Sequence, residues 1–244
     1  MPVNRQIVWH PTVDSTMNEA VRLADSGCPS GTVVGADEQT AGHGRYGRAW
    51  HSERNTGLYF SIVLRLPGVD PASFPVVTFA LGLAVAQAIQ TVSGVACDLR
   101  WPNDVLVRDR KCAGILAQLH GTAIVAGIGI NVNQSAFPPD IAAIATSLRI
   151  ESGRDQSRET LFNALLDDID RHCGILANEG RAVIFDLFTQ ASSYVSGRRV
   201  TVELPDREVT GVTAGLTAEG FLRLRRDDGR EEIMIAGGVR PAAS

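Results

Sequence analysis

Lys111 is the only lysine among 23 basic residues; the remainder are arginine. A compact ammonium suits a point between two anions, whereas a planar guanidinium pairs best with one carboxylate or phosphate at a time. A lone lysine is otherwise a surface residue, and here its neighbours argue against that. Val105-Leu106-Val107 reads as a short strand and Arg108-Asp109-Arg110 as a polar turn, so Lys111 opens the second strand of a hairpin. Ala113-Gly114-Ile115-Leu116 follows, with a glycine that admits close approach of a backbone or ligand. A charged tip at the mouth of a pocket is the expected result.

A second group of candidates lies between Gln39 and Trp50, after a predicted strand at Thr32–Ala36. Gly42, Gly44 and Gly47 make a backbone that can fold over a ligand, and Arg45 and Arg48 offer forked donors to phosphate or carboxylate oxygens. This is a lid rather than a phosphate loop of the Walker type. The GxGxxG match has no helix after it, because Gly57–Leu66 reads as a strand, so a dinucleotide fingerprint is excluded. Tyr46 and Trp50 are costly to leave without partners, which speaks against a bare arginine-glycine surface loop.

The elements that must position these groups are legible in outline. Thr16 and Glu19 read as a capping box for a helix over 16–26, with Met17, Ala20, Val21, Leu23 and Ala24 as its apolar face. Ser15 and Thr16 then stand at a helix start able to grip a polar ligand head. Gln6–Trp9 predicts a short strand before it. Val125–Asn133 predicts a buried strand whose Gly127 and Gly129 leave one face bare for a flat ligand, with Asn131 either a donor-acceptor at its end or simply the start of a turn toward Pro138-Pro139. Ser157–Ala177 and Arg181–Tyr194 have helical spacing. From Gly197, four alternating segments at Arg198–Leu204, Arg207–Leu216, Gly220–Arg226 and Arg230–Ile235 predict a small antiparallel barrel, with Arg223, Arg225 and Arg226 on a solvated face.

Composition narrows the class. With 244 residues and 44% hydrophobic content the chain can bury a full core and a small second one. Phe74–Ile89 is shorter than a bilayer span and reads as a core helix. Met1–His10 lacks the basic start and apolar run of a leader, and Cys28, Cys97, Cys112 and Cys173 are scattered without a CxxC pair. Both features predict reduced thiols and a cytoplasmic protein. A net charge of -4 opposes general nucleic-acid binding.

Taken in order, Asp14-Ser15-Thr16, the Gln39–Trp50 loop, Arg100-Trp101-Pro102-Asn103-Asp104, Lys111 with Ala113-Gly114-Ile115-Leu116, and Gly127-Ile128-Gly129-Ile130-Asn131-Val132 resemble the biotin protein ligases. The resemblance runs from about residue 8 to the C-terminus. It implies an α+β fold, a mixed or antiparallel sheet flanked by helices as in class II aminoacyl-tRNA synthetases, over 1–195, with a small SH3-like β-barrel domain over 196–244. The reaction implied is activation of biotin by ATP to biotinyl-5′-AMP, with Mg²⁺, followed by transfer to a lysine of a biotin carboxyl carrier domain. By resemblance, Lys111, Arg48 and Asp104 are catalytic, with Asp104 orienting Lys111 or Mg²⁺. Ser15, Thr16, Gln39, Gly42, His43, Arg45, Gly114 and Gly127 join Lys111 around biotin, and Trp50, Asn103 and Asn131 join Arg48 on the adenylate side. Two positions depart from the family pattern: His43 stands where arginine is common, and Met17 where asparagine is. Family repressors carry an N-terminal helix-turn-helix domain, and motifs that begin by Asp14 predict a short form without it, a monomer or homodimer that binds neither DNA nor membrane. Two other readings share parts of the pattern: a lipoate or octanoate ligase or transferase of the same fold, and a catalytically idle biotin-binding module.

Overall fold

The computed structural model describes residues 5–66, 68–69 and 74–242; Met1–Asn4, part of the Met1–His10 stretch read above, lie outside them. Seven strands form the first sheet: β1 (Ile7–His10), β2 (Val33–Ala36), β3 (Gly57–Leu64), β4 (Asp98–Arg100), β5 (Asp104–Val107), β6 (Arg110–His120) and β7 (Ala123–Asn131). Their order is β1-β2-β3-β7-β6-β5-β4, with only β1 and β2 parallel. Of the two sheet types expected, mixed or antiparallel, this is the mixed one.

The period-2 alternation of the central strands divides two jobs between the faces. In β3, Leu58, Phe60, Ile62 and Leu64 point into the main core, and in β7 Ile124, Ala126, Ile128 and Ile130 do the same. Helices α2 (Phe74–Ser93), α4 (Arg158–Glu179) and α5 (Arg181–Gln190) pack together over this face. Each fully buried Leu, Ile, Val or Phe there contributes roughly 1.5–3 kcal/mol. α2 runs on to Ser93 rather than stopping at Ile89, which makes Pro75–Ser93 long and apolar enough to cross a membrane by composition. Its burial decides otherwise: Val77, Ala80, Leu81, Ala84, Val85, Ala88 and Ile89 are fully enclosed by the protein, as an all-round apolar helix requires.

The opposite face is only partly covered. Helix α1 (Thr16–Asp25) lays Met17, Ala20 and Ala24 against Val34, Val63 and Val125. On this face β6 and β7 carry glycines where side chains would otherwise stand, since Gly127, Gly129 and Asn131 alternate with the core residues of β7 and Gly114 pairs with Gly129 across the strands. The predicted capping box does not form. Ser15 is the N-cap with no side-chain capping bond, Glu19 pairs with Arg22, and the Thr16 hydroxyl is drawn to Gln39 and Ser61.

The short helix α3 (Leu148–Ser152), capped by Ser147, follows the first sheet. The C-terminal sheet comprises β8 (Ser196–Glu203), β9 (Glu208–Leu216), β10 (Leu222–Arg225), β11 (Glu231–Met234) and β12 (Gly238–Pro241), all antiparallel, in the order β11-β10-β9-β8-β12. It has five strands where four were expected; β12 completes it against β8. Leu222 and Leu224 are buried while Arg223 and Arg225 face out, as the alternation required.

Candidate active site

One row of cross-strand partners builds the floor of the site. Arg100 on β4 stands opposite Asp104 on β5, Asp104 opposite Gly114 on β6, and Gly114 opposite Gly129 on β7. Directly opposed residues share a face, so this register presents a guanidinium, a carboxylate and two bare backbone positions side by side. Regular alternation from Gly114 would send Lys111 to the other face. A register shift between Val105 and Leu106 prevents this, pairing Leu106 with Lys111. A bulge of this kind re-aims a side chain, and here it returns Lys111 to the side of Gly114 while Cys112 is buried in the core.

The hairpin that carries these groups is held at both ends. Arg108 and Asp109 occupy left-handed conformations (φ 50° and 62°), the pair of positive angles that a tight two-residue turn requires. Asp109 accepts from the Tyr194 hydroxyl at 2.8 Å and from Arg198 at 2.6 Å, which ties the turn to the start of the C-terminal unit. On the other side Lys111 N–H donates to Ile144 O at 2.7 Å, and Thr146 N–H to Lys111 O at 2.9 Å.

Lys111 Nζ lies 2.5 Å from Asp104 Oδ1, and Arg100 Nη2 lies 2.7 Å from Oδ2. Burial would push the Asp104 carboxyl up, but the Lys111 and Arg100 charges outweigh it and hold the carboxyl below the usual aspartate range. Both oxygens of Asp104 thus serve cations. That arrangement fits the orienting role and not a Mg²⁺ ligand, and no group of three His, Cys, Asp or Glu side chains suited to a metal ion occurs among the described residues.

Above the floor lies a cavity of about 510 Å³. Of the predicted site residues, Ser15, Thr16, Gln39, His43, Arg45, Arg48, Trp50, Asn103, Asp104, Lys111, Gly114, Gly127 and Asn131 all line it. Gly42 does not: it sits behind the wall, where a Cβ would come within 2.9 Å of Gln39 Nε2 and 3.0 Å of Ser52 Oγ. At one end, the backbone N–H and hydroxyl of buried Thr16 meet Gln39 Oε1 at 2.9 and 3.1 Å, while Gln39 Nε2 donates to Ser52 at 3.0 Å. This polar cluster is suited to the donors and acceptors of a small heterocyclic head.

The bare glycine face expected on β7 is occupied by the chain itself. A Cβ on Gly127 would lie 2.9 Å from Met17 Sδ, and one on Gly129 only 2.5 Å from Trp50 Cε2. Met17, at the family-departure position, thus packs on the strand, and the Trp50 indole rests against Gly129 and Gly114 with Lys111 Nζ 5.4 Å from its ring centre. Trp50 Nε1 is buried without a hydrogen-bond partner among the described residues.

The loop over the cavity has a single 3-10 turn at Arg45–Gly47, with Tyr46 and Gly47 at positive φ. Arg45 Nη1 donates to Asn103 Oδ1 and to Gly237 O, each at 3.1 Å, and Gly237 N–H donates to the Tyr46 hydroxyl at 2.9 Å. Burial pushes the Arg45 guanidinium down from its ordinary value against the opposing pull of Tyr46 and Asp104. Arg48 is exposed and reaches Glu203 of β8 at 2.9 Å. Asn103 and Asn131 prove to be fasteners. The first also donates to Ile115 O at 2.9 Å, and Asn131 Nδ2 donates to Thr146 O at 3.0 Å. His43 turns Nδ1 toward Ala41 O at 3.3 Å.

Arg100 also lines the cavity, and sequence reasoning did not single it out. Its signal was its place in the Arg100–Asp104 segment, but only the strand pairing shows that the two ends of that segment meet. The segment Asp140–Ala145, which supplies Ile141 and Ile144 to the wall, carried no motif at all.

Comparison with known proteins agrees with this geometry. The model of the Biotin/lipoate A/B protein ligase family matches residues 9–135, and that of the Biotin protein ligase C terminal domain matches residues 195–238. A relative from Mycobacterium tuberculosis named Biotin--[acetyl-CoA-carboxylase] ligase is 32% identical, over 96% of this chain and 88% of its own length. The Bifunctional ligase/repressor BirA of Bacillus subtilis is 31% identical, over 96% of this chain and 74% of its own. Among solved structures, a biotin protein ligase from Aquifex aeolicus in complex with biotin and ATP superposes with a TM-score of 0.84 at 29% identity, covering 97% of this chain and 99% of that one.

Proposed function

This chain belongs to the biotin/lipoate A/B protein ligase family, and from that premise we propose a residue-level account of how it acts as a biotin protein ligase. The enzyme activates biotin with ATP to biotinyl-5′-AMP, releasing pyrophosphate, and transfers the biotinyl group to a lysine of a biotin carboxyl carrier domain. The observation that carries this reading is the lone ammonium of Lys111, braced by Asp104 on the cavity floor beneath a loop bearing two arginines.

In the first step a biotin carboxylate oxygen attacks the α-phosphorus, the new P–O bond forms, and the bond to the pyrophosphate oxygen breaks. Two anions brought to about 4 Å repel by roughly 4 kcal/mol at an effective dielectric constant near 20. An ammonium between them attracts each by a similar amount and turns the encounter favourable. Charge that grows on the α-phosphate oxygens in the transition state strengthens this attraction, which is how a preorganised cation accelerates the step. Lys111 takes that position. Ser15, Thr16, Gln39 and the wall around His43, Gly114 and Gly127 receive the biotin head, with Gly42 acting through Gln39 and Ser52. Arg45 and Arg48 close over the acyl phosphate and keep water from the anhydride, and Trp50, Asn103 and Asn131 shape the adenylate side. In the second step the carrier amine attacks the anhydride carbonyl and AMP departs.

The catalytic unit spans 1–195 and the C-terminal unit 196–244, which supports the loop through Glu203 and Gly237. Mg²⁺ enters on the phosphates of ATP. The chain works in the cytoplasm, as a monomer or homodimer, on a carrier domain and not on nucleic acid. The test is pyrophosphate exchange into ATP with biotin, lipoate or octanoate as the acid, followed by transfer to a carrier domain. Exchange that depends on biotin, with mass addition to the carrier, supports the reading. Exchange with lipoate or octanoate alone would convert the enzyme to a lipoyl or octanoyl ligase, and none with any acid would leave an idle binding module.

A further inference from the structure

Lys111 faces a competition that the family reading leaves unaddressed. Its ammonium rests 2.5 Å from Asp104 Oδ1, and a carboxylate that close competes with the two anions the ammonium has to serve. If Asp104 had no other partner, moving Lys111 toward substrate would strand a charge on a side chain only 16% exposed. Arg100 answers this. It faces Asp104 directly across the strand pair, donates to its other oxygen at 2.7 Å, is equally enclosed at 16% exposure, and lines the same cavity. Two cations and one carboxylate leave the cluster with one positive charge to offer; without Arg100 the cluster is neutral.

We propose that Arg100 is a positioning residue for adenylation: it stays on Asp104 and keeps that carboxylate compensated, so that Lys111 is available to the biotin carboxylate and the α-phosphate. The residue types fit the division of labour. A guanidinium is charged at every working pH and its planar fork holds one orientation, whereas a lysine stem is flexible and its head is a point charge. Arg100 is also anchored from behind. Its guanidinium carbon lies 5.8 Å from the ring centre of Tyr194, whose hydroxyl is fixed by Asp109, and Arg198 packs on the same ring at 3.8 Å. Lys111 also lies over a ring, its Nζ 5.4 Å from the centre of Trp50, but its only ion-pair partner among the described residues is Asp104 and its side chain is more open, at 31% exposure.

This inference rests on the ligase reading, and wild-type biotin-dependent exchange, measured in parallel, tests that reading separately. Arg100→Gln is expected to lower kcat of exchange by about tenfold or more with KM for biotin and ATP within about threefold. Arg100→Lys should restore most of the loss. The decisive comparison is Arg100→Gln in an Asp104→Asn background, where no carboxylate needs compensation and the substitution should cost less than about threefold. This comparison also serves if Arg100→Gln alone fails to fold, because the double variant leaves no uncompensated buried carboxylate. A full tenfold loss in the Asp104→Asn background would mean that Arg100 touches substrate directly and would overturn the proposal. So would wild-type kcat in a folded Arg100→Gln protein.

Discussion

Gly114→Ala isolates the position of the Lys111 head from its charge. A methyl at this site would fall 2.9 Å from Lys111 Cε, 3.0 Å from Nζ and 3.1 Å from Trp50 Cζ3. Non-bonded carbons rest about 3.5–4.0 Å apart, so the ammonium must retreat by roughly 0.5–1 Å. What gives way first is the far end of a flexible chain, with the Trp50 ring yielding by a few tenths of an ångström, and Gly114 does not occupy the left-handed region, so alanine suits its strand backbone and stability should change by no more than about 1 kcal/mol. Catalysis is less forgiving. A displacement near 1 Å of a group that must bridge two reacting partners costs on the order of 10²-fold, and half that shift about tenfold. Biotin-dependent pyrophosphate exchange should therefore fall by about ten- to a hundredfold while the melting temperature stays close to that of the parent. Exchange at the parental rate would refute the geometry. A loss that tracks a large drop in melting temperature would refute the claim that the change is confined to the Lys111 head and the Trp50 ring.

Two further outcomes follow from the same cluster. Because Lys111 is the only lysine, an amine-reactive probe should modify that residue and the N-terminal amine alone, and saturating biotin with ATP should protect Lys111 selectively; labelling of Lys111 indifferent to ligands would contradict its place in the cavity. The Asp104 carboxyl is held below its ordinary value by Lys111 and Arg100, against the upward push of burial. Its contribution to stability is thus complete above the ordinary aspartate range, near pH 4, and is lost as pH falls through the lower native value. Thermal melts as a function of pH should stay level down to that range and then decline, with a shallower decline in Asp104→Asn; an identical acid limb in the two proteins would refute the coupling.

Much of the scaffold could be read from residue patterns, because each central element satisfies its own period. The apolar runs of β3 and β7 and the apolar α2 are local facts that survive in three dimensions. The hairpin around Lys111 was equally legible from a short apolar run and a polar turn. What escaped depends on register. Arg100 and Asp104 meet because β4 and β5 pair antiparallel, and Lys111 joins them only through the bulge at Cys112, which no hydrophobic period encodes. Thr16 looked like a capping residue because Glu19 follows it at the right distance, yet its hydroxyl finds Gln39 and Ser61 from distant strands and loops. The pair Gly127 and Gly129 correctly marked a surface of close approach, but the groups that approach are Met17 and Trp50 of the same chain. β12 was missed because Gly238 and Pro241 are poor strand formers and an edge position tolerates them.

The central claim is that a point charge at Lys111 joins biotin to ATP. Lys111→Arg tests it most directly, since the substitution keeps the charge and replaces the point-like ammonium with a planar fork that pairs best with one anion at a time. Biotin-dependent pyrophosphate exchange by this variant should fall by at least about 10²-fold with the fold retained by thermal melt. Exchange close to that of the parent protein would contradict the account at its foundation.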